Sequence, residues 1–386
     1  MASIIPLLTE HEKQHISERQ PLPEKYLGLS DEEMMRRITE ARAALGTRLV
    51  ILGHHYQRDE VIQFADYTGD SFKLARQIAS RPEADYIVFC GVHFMAESAD
   101  VLCAPHQQVI LPDLAAGCSM ADMADPDQLA SCWEELGQMG ITPRQSSGQA
   151  GVVPVTYINS AASIKSFVGE RGGTVCTSSN AMATLKWGFS RGEKILFLPD
   201  QHLGRNTAYK MGIGLDEMVV WDPNEIFGGL DPEDVRRAKM ILWKGHCSVH
   251  TRFSAKQIAA VRQQHPGIRV IVHPEVPWDV VQASDDSGST EYIIRTVTNS
   301  PEGSMWAVGT EVHLVNRLAQ QLAPARTVIS LDQFGCLCST MFRVSPNHLL
   351  WILDELVEGR VHNRIVVPDD QKHWNRVALE RMLSIS

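Results

Sequence analysis

Three times along this 386-residue chain, a stretch with helical periodicity is followed, after a loop, by a short and almost continuously apolar run rich in β-formers. The helical stretches are DEEMMRRITEARAAL (31–45), DQLASCWEELGQM (127–139) and SAKQIAAVRQQH (254–265). The runs that follow are RLVILGHHYQ (48–57), GVVPVTYINS (151–160) and IRVIVHPE (268–275). A strand apolar on both sides needs cover on both sides, and the alternating helices supply it. The chain is therefore expected to be α/β, built on short parallel sheets.

The order of events within each pass also repeats. A strand ends in polar groups: His54 and Tyr56, then Tyr157 and Asn159, then His273 and Glu275. A cluster of small and hydroxyl residues follows: Gly69-Asp70-Ser71, Thr177-Ser178-Ser179 and Gly288-Ser289-Thr290. A cysteine comes later: Cys118, Cys247 and Cys338. The first and third passes match locally as well, FCGVHFMAESADVLCAPHQQVILPDLAAGC (89–118) beside AVGTEVHLVNRLAQQLAPARTVISLDQFGC (307–336), and the second carries a related strand in KILFLPDQHLG (194–204). Three related α/β units are inferred. Ligands of such sheets lie beyond the carboxyl ends of the strands, so the three polar strand ends are expected to face one cavity.

The expected boundaries are a leader (1–30), repeats at 31–125, 126–252 and 253–345, and a tail (346–386) packing on the core. The tail carries an amphipathic helix in PNHLLWILDELVEG, then RIVVPDD and a last helical piece. TPRQSSGQAG (142–151) is expected to be a flexible insertion because of its Gly, Ser and Gln content.

Imidazole and phenol in HHYQ offer acid–base groups. TYINS offers a phenol and an amide suited to a carboxylate, and HPE places a carboxylate two residues from an imidazole. The hydroxyl clusters each precede a helix (FKLARQIA, AMATLKW, EYIIRTV). Ser or Thr at or near an N-cap, with free N–H groups beyond, suits phosphate or carboxylate. Eight cysteines with no CxxC pair of zinc type, in a chain of this size, read as buried thiols or as single ligands drawn from far apart. Three thiolates in glycine-bearing loops (AAGCSM, WKGHCSVH, FGCLCSTM) suit a [4Fe–4S] cluster with one open iron, and zinc is the alternative.

A formal net charge of −10 argues against nucleic acid and anionic membranes as partners. No apolar run approaches the roughly 20 residues that span a bilayer. The N-terminus lacks a basic lead and a cleavage site, so a cytoplasmic protein is expected.

Taken together, HHYQ with GDS, LAAGCSM, TYINSAA, CTSSNA, PDQHLG, WKGHCSVH, HPE, DSGST, GTE and C-x-x-M resemble the quinolinate synthase family in content and order over about residues 50–345. The resemblance implies three related α/β/α sandwich domains in a triangular pseudo-threefold arrangement, with the active site at the centre. It implies condensation of iminoaspartate with dihydroxyacetone phosphate to quinolinate, phosphate and water in de novo NAD biosynthesis, with the open iron as Lewis acid. It implies Cys118, Cys247 and Cys338 as cluster ligands, and His54, Ser71, Tyr157, Asn159, Ser178, His273, Glu275 and Thr290 as substrate-binding residues. Tyr56 and Glu275 become proton-transfer groups, with His273 a further candidate. Two choices stay open at this level. The internal repeat pairs Cys118 with Cys336, whereas the family pattern selects Cys338; Ser179 stands beside Ser178. A transient contact with the enzyme supplying the unstable iminoaspartate is also expected. The competing readings are a three-domain iron–sulfur enzyme of the diphthamide-synthesis type, which cleaves S-adenosylmethionine, and an iron–sulfur sensor without turnover.

Overall fold

The computed structural model describes Glu12 and residues 22–78, 80–141 and 150–385. The chain is α/β, built on mostly parallel sheets. It divides into two compact units: the described residues up to Cys118 together with Thr310–Val366, and Ser119–Gly309 together with Val367 onwards.

In the first unit, helix α1 (Asp31–Leu45) begins at Ser30, whose side chain accepts the Glu33 N–H. It buries Met34, Ile38, Ala41 and Leu45, the stripe that its sequence periodicity implies. Strand β1 (Leu49–His54) is buried throughout. It pairs in parallel with β2 (Tyr67–Gly69) on one side and β3 (Tyr86–Cys90) on the other, and β4 (Gln108–Ile110) pairs in parallel with β3. Helix α2 (Ser71–Ile78) starts directly after β2.

In the second unit, β5 (Ala150–Tyr157) pairs in parallel with β6 (Thr174–Cys176) and with β7 (Gly192–Leu198). The sheet continues through β9 (Met240–Trp243) to β8 (Met218–Trp221). Its helices include α3 (Ala162–Glu170), α4 (Ala181–Phe189) and α5 (Gln201–Lys210). The same pairing recurs in β10 (Arg269–Val272), flanked in parallel by β11 (Asp286–Ser287) and β12 (Met305–Gly309), with α6 (Thr290–Thr298) after β11. The expected helices at 127–139 and 254–265 are Pro126–Gln138 and Ala255–Gln264, capped by Asp125 and Ser254.

The remaining elements return to both units. Helix α7 (Val312–Leu322) covers β13 (Thr327–Ser330) in the first. The short α8 (Ser339–Phe342) and α9 (Pro346–Val357) follow, and α9 packs on α1. Strand β14 (Arg364–Ile365) adds antiparallel to β4. In the second unit, α10 (Asp369–Ser384) packs on α3 and β6. The expected insertion at 142–151 lies, but for its last two residues, outside the described residues.

Register explains why the polar motifs meet. In each repeat the strand carrying the polar pair is flanked by the strand that leads into the hydroxyl cluster. His54 stands opposite Gly69, Tyr157 opposite Cys176 and Val272 opposite Ser287. Parallel strands end at the same edge, so the residues just beyond one strand lie beside those just beyond its neighbour.

Candidate functional site

In the first unit, Tyr56 donates its N–H to His54 Nδ1 at 3.1 Å, and the two rings meet edge to face at 4.7 Å. With Nδ1 accepting, a neutral His54 carries its proton on Nε2. The Tyr56 hydroxyl is 2.8 Å from Thr310 Oγ1. The loop holding these residues is clamped by Arg317, which binds Asp59, the His55 carbonyl and the Gln57 carbonyl. Gln57 and Arg58 then donate to the carbonyls of Met341 and Phe342, the last two residues of α8, which begins just after Cys338. Glu311, from GTE, is fully buried and accepts from His313 N–H, His313 Nδ1 and the Cys338 N–H. Gln57, Arg58, Glu311 and Arg317 were not singled out as site residues from sequence, because each acts on backbone or on a partner far along the chain.

In the second unit, Glu275 is 3% exposed. Tyr157 donates its hydroxyl to Oε1 at 2.6 Å, and His250 Nδ1 stands 3.0 Å from Oε2. The His250 ring stacks on His273 at 4.5 Å. Burial opposes ionisation of Glu275, yet the neighbouring His250 and the hydrogen bonds from His250 and Tyr157 outweigh it and hold the carboxyl below its usual range. Burial lowers His273 to about 3, against the Glu275 charge, so its imidazole is neutral at pH 7. His273 Nδ1 lies 3.4 Å from the Glu275 N–H as acceptor, which puts the ring proton on Nε2. The Asn159 side-chain oxygen is buried and has no hydrogen-bond partner among the described residues.

The hydroxyl clusters differ in detail from expectation. Asp70, not Ser71, accepts the Lys73 N–H at the start of α2, because a carboxylate reaches the N-cap geometry and carries charge. Ser289 caps α6 and leaves Thr290 as the first helical residue. No side chain caps α4; Asn180 instead binds Thr177 and the carbonyls of Met382 and Ile385 in the tail. Ser178 is half-buried and Ser179 exposed.

The cysteines separate cleanly. Cys90, Cys103, Cys132, Cys176 and Cys336 are buried, while Cys118, Cys247 and Cys338 keep partial exposure. Burial pushes the Cys90 thiol up to about 12, and Cys132 and Cys176 also stand far above the ordinary range, which suits inert packing thiols. Cys336 hydrogen-bonds Asp332 at 3.0 Å. The Cys247 loop passes close under Pro199: a Cβ on Gly245 would stand 2.0 Å from the Pro199 carbonyl oxygen, so only glycine fits there. One donor each from Cys247, His250 and Glu275 lies within 4.8 Å of the others, a thiolate–imidazole–carboxylate set suited to a metal ion. His250 was missed from sequence. Its signal was the spacing Cys-x-x-His in WKGHCSVH, where the 3₁₀ turn His250–Arg252 brings the ring back beside the thiol.

Parallel α/β sheets with a buried carboxylate, stacked imidazoles and a thiol–imidazole–carboxylate set that could hold a metal ion fit an enzyme. The profile of the family described as Quinolinate synthetase A protein, NadA, matches residues 36–384. Quinolinate synthase of Acidobacterium capsulatum is 61% identical over 361 residues, 93% of this chain and 95% of that protein. Those of Corynebacterium glutamicum and Anoxybacillus flavithermus are 55% and 53% identical, over 96% of this chain and 92% and 98% of their own. The chain belongs to the quinolinate synthase family, whose place is in NAD biosynthesis. No helix among the described residues is long and apolar enough to cross a membrane.

Proposed function

We propose that the chain condenses iminoaspartate with dihydroxyacetone phosphate to quinolinate, releasing phosphate and water. Family membership supports the reaction. The observation that carries the chemistry is Glu275, a buried carboxylate kept ionised by Tyr157 and His250. A base in that state accepts a proton without first losing one to water.

Cys118, Cys247 and Cys338 are the proposed ligands of a [4Fe–4S] cluster. Their partial exposure, against five buried thiols, supports the assignment and favours Cys338 over Cys336. Held by three thiolates, such a cluster supplies one open iron as a Lewis acid toward a substrate oxygen or nitrogen.

The chain's own groups act as follows. Glu275 moves a proton between adjacent carbons of the triose phosphate, and neutral His273 beside it is a second acid–base group. Tyr56, hydrogen-bonded to Thr310, gives or takes the proton at the hydroxyl-bearing carbon. His54, Ser71, Ser178 and Thr290, with the N–H groups of the helix starts, bind phosphate and carboxylate. Tyr157 and Asn159 line the substrate site, the amide oxygen of Asn159 being available to it. Three repeats at 31–125, 126–252 and 253–345, with a leader and a tail, and a cytoplasmic location belong to the same reading. So does a transient contact with the enzyme that makes the short-lived imine.

The test is quinolinate formation by anaerobically purified protein given iminoaspartate generated in situ and dihydroxyacetone phosphate, with iron and sulfide counted on the same sample. Product from a sample with about four irons per chain is expected. No product from a sample with an intact cluster overturns the reading.

A further inference from the structure

The motif PDQHLG opens helix α5, which is hydrogen-bonded to the Glu275 turn through Asn206. Its side-chain nitrogen donates to the carbonyl of Pro274 and to that of Val276, both at 2.8 Å. These are the two carbonyls on either side of Glu275. Of the two ends of the Asn206 amide only the nitrogen donates, and it carries two N–H groups, so the orientation of the amide is fixed by its acceptors. The residue is 6% exposed, and its own oxygen has no partner among the described residues. A buried amide that leaves its acceptor unpaired while committing both donors to one turn is placed for that turn rather than for packing.

The rest of α5 is built to hold Asn206 there. Asp200 is fully buried and caps the helix through the N–H groups of His202 and Leu203. A Cβ on Gly204 would stand 2.7 Å from Leu242 and from Phe197, so glycine lets the helix lie close on β7 and β9. Beyond the turn, Tyr209 meets Trp278 edge to face at 5.4 Å.

We infer that Asn206 is a positioning residue for the reaction: by clamping both carbonyls that flank Glu275 it fixes the carboxylate between Tyr157 and His250. The inference rests on the reading of Glu275 as the proton-transfer base. A misplacement of a reacting group by about 1 Å costs roughly a hundredfold in rate, so a clamp of this kind acts on turnover rather than on binding.

Asn206→Ala tests it, with Asn206→Asp as a second variant of equal volume that lacks the paired donors. Both are measured as cluster-loaded enzyme, with melting temperature and iron content recorded. Expected is a fall in kcat of about ten- to a hundredfold, KM for dihydroxyacetone phosphate within about twofold, and a larger primary isotope effect with substrate deuterated at the carbon that loses its proton. The double variant Asn206→Ala/Glu275→Gln should be no slower than Glu275→Gln alone, since a clamp has nothing left to position. If the double variant instead falls by the full Asn206→Ala factor, with an unchanged isotope effect in the single variants, Asn206 acts only structurally and the inference is overturned. If Asn206→Ala does not fold, the same comparison on Asn206→Asp decides. Normal turnover in Glu275→Gln sinks the Glu275 reading instead, whatever the Asn206 variants do.

Discussion

Glu275 and the two cysteines of FGCLC illustrate what a residue's surroundings add to its chemistry. The HPE motif displayed a carboxylate and an imidazole, and both lie at one strand end. Their charge states came from burial and from Tyr157 and His250, neither of which is near Glu275 in sequence. Glu275→Gln keeps the shape and both neighbours but removes the base, so kcat should fall by about 10²–10⁴ with iron content unchanged, as read by steady-state assay and iron analysis. Cys336 and Cys338 are two residues apart and alike on paper. One is buried on Asp332 and the other partly exposed at the start of α8. Cys338→Ser should lose cluster iron, whereas Cys336→Ser should retain it; the reverse pattern on iron analysis would reassign the ligand.

Among elements, the strands and helices were largely legible because periodicity and capping are local. The helix at 31–45 and the buried strand after it follow from their own residues, and the polar strand ends meet the next cluster through parallel register. The tail was legible as helix, but not the particular elements it packs on. Helix α10 buries Asn375, Ala378, Leu379 and Met382, and Asn375 donates to the Ala162 carbonyl at the start of α3. Leu379 is fully buried, so Leu379→Ala should cost about 2–5 kcal/mol, measured by denaturant unfolding. Because Asn180 is tied to the same helix, the variant should also raise KM for dihydroxyacetone phosphate if Ser178 binds it as proposed.

Helix α9 carries a pH dependence of its own. Burial lowers His348 to about 4, with the nearby Asp113 charge opposing and Arg58 and Arg343 reinforcing. The unfolded chain therefore takes up this proton first, near pH 6.5, and between there and about pH 4 it binds more protons than the folded one. The stability contributed by neutral His348 is complete above that window and declines as pH falls through it. Melting temperatures from pH 7 to pH 4 should fall less steeply in His348→Gln; an unchanged slope would remove His348 as a source.

For the molecule as a whole, a net charge of −10 means that attraction for the proposed anionic substrates must be built locally, from helix starts and the proposed cluster rather than from the overall field. The sheets have apolar interiors of their own, independent of the three thiols. Removing the proposed cluster by chelation should therefore abolish quinolinate formation while leaving the far-UV circular dichroism unchanged. A collapse of the spectrum would make the cluster a folding element.

By itself the sequence determined the α/β class, the repeated strand–cluster–cysteine order, the family and which side chains are able to carry charge or offer a thiolate, because side-chain periodicity and motif spacing are properties of neighbouring residues. Only the tertiary structure decided that Tyr157 and His250 keep Glu275 ionised, that Asn206 clamps its turn and that Cys338 rather than Cys336 stays accessible. Periodicity says which face of an element is buried but not what it is buried against, and ionisation and reactivity depend on that partner and on the water it excludes.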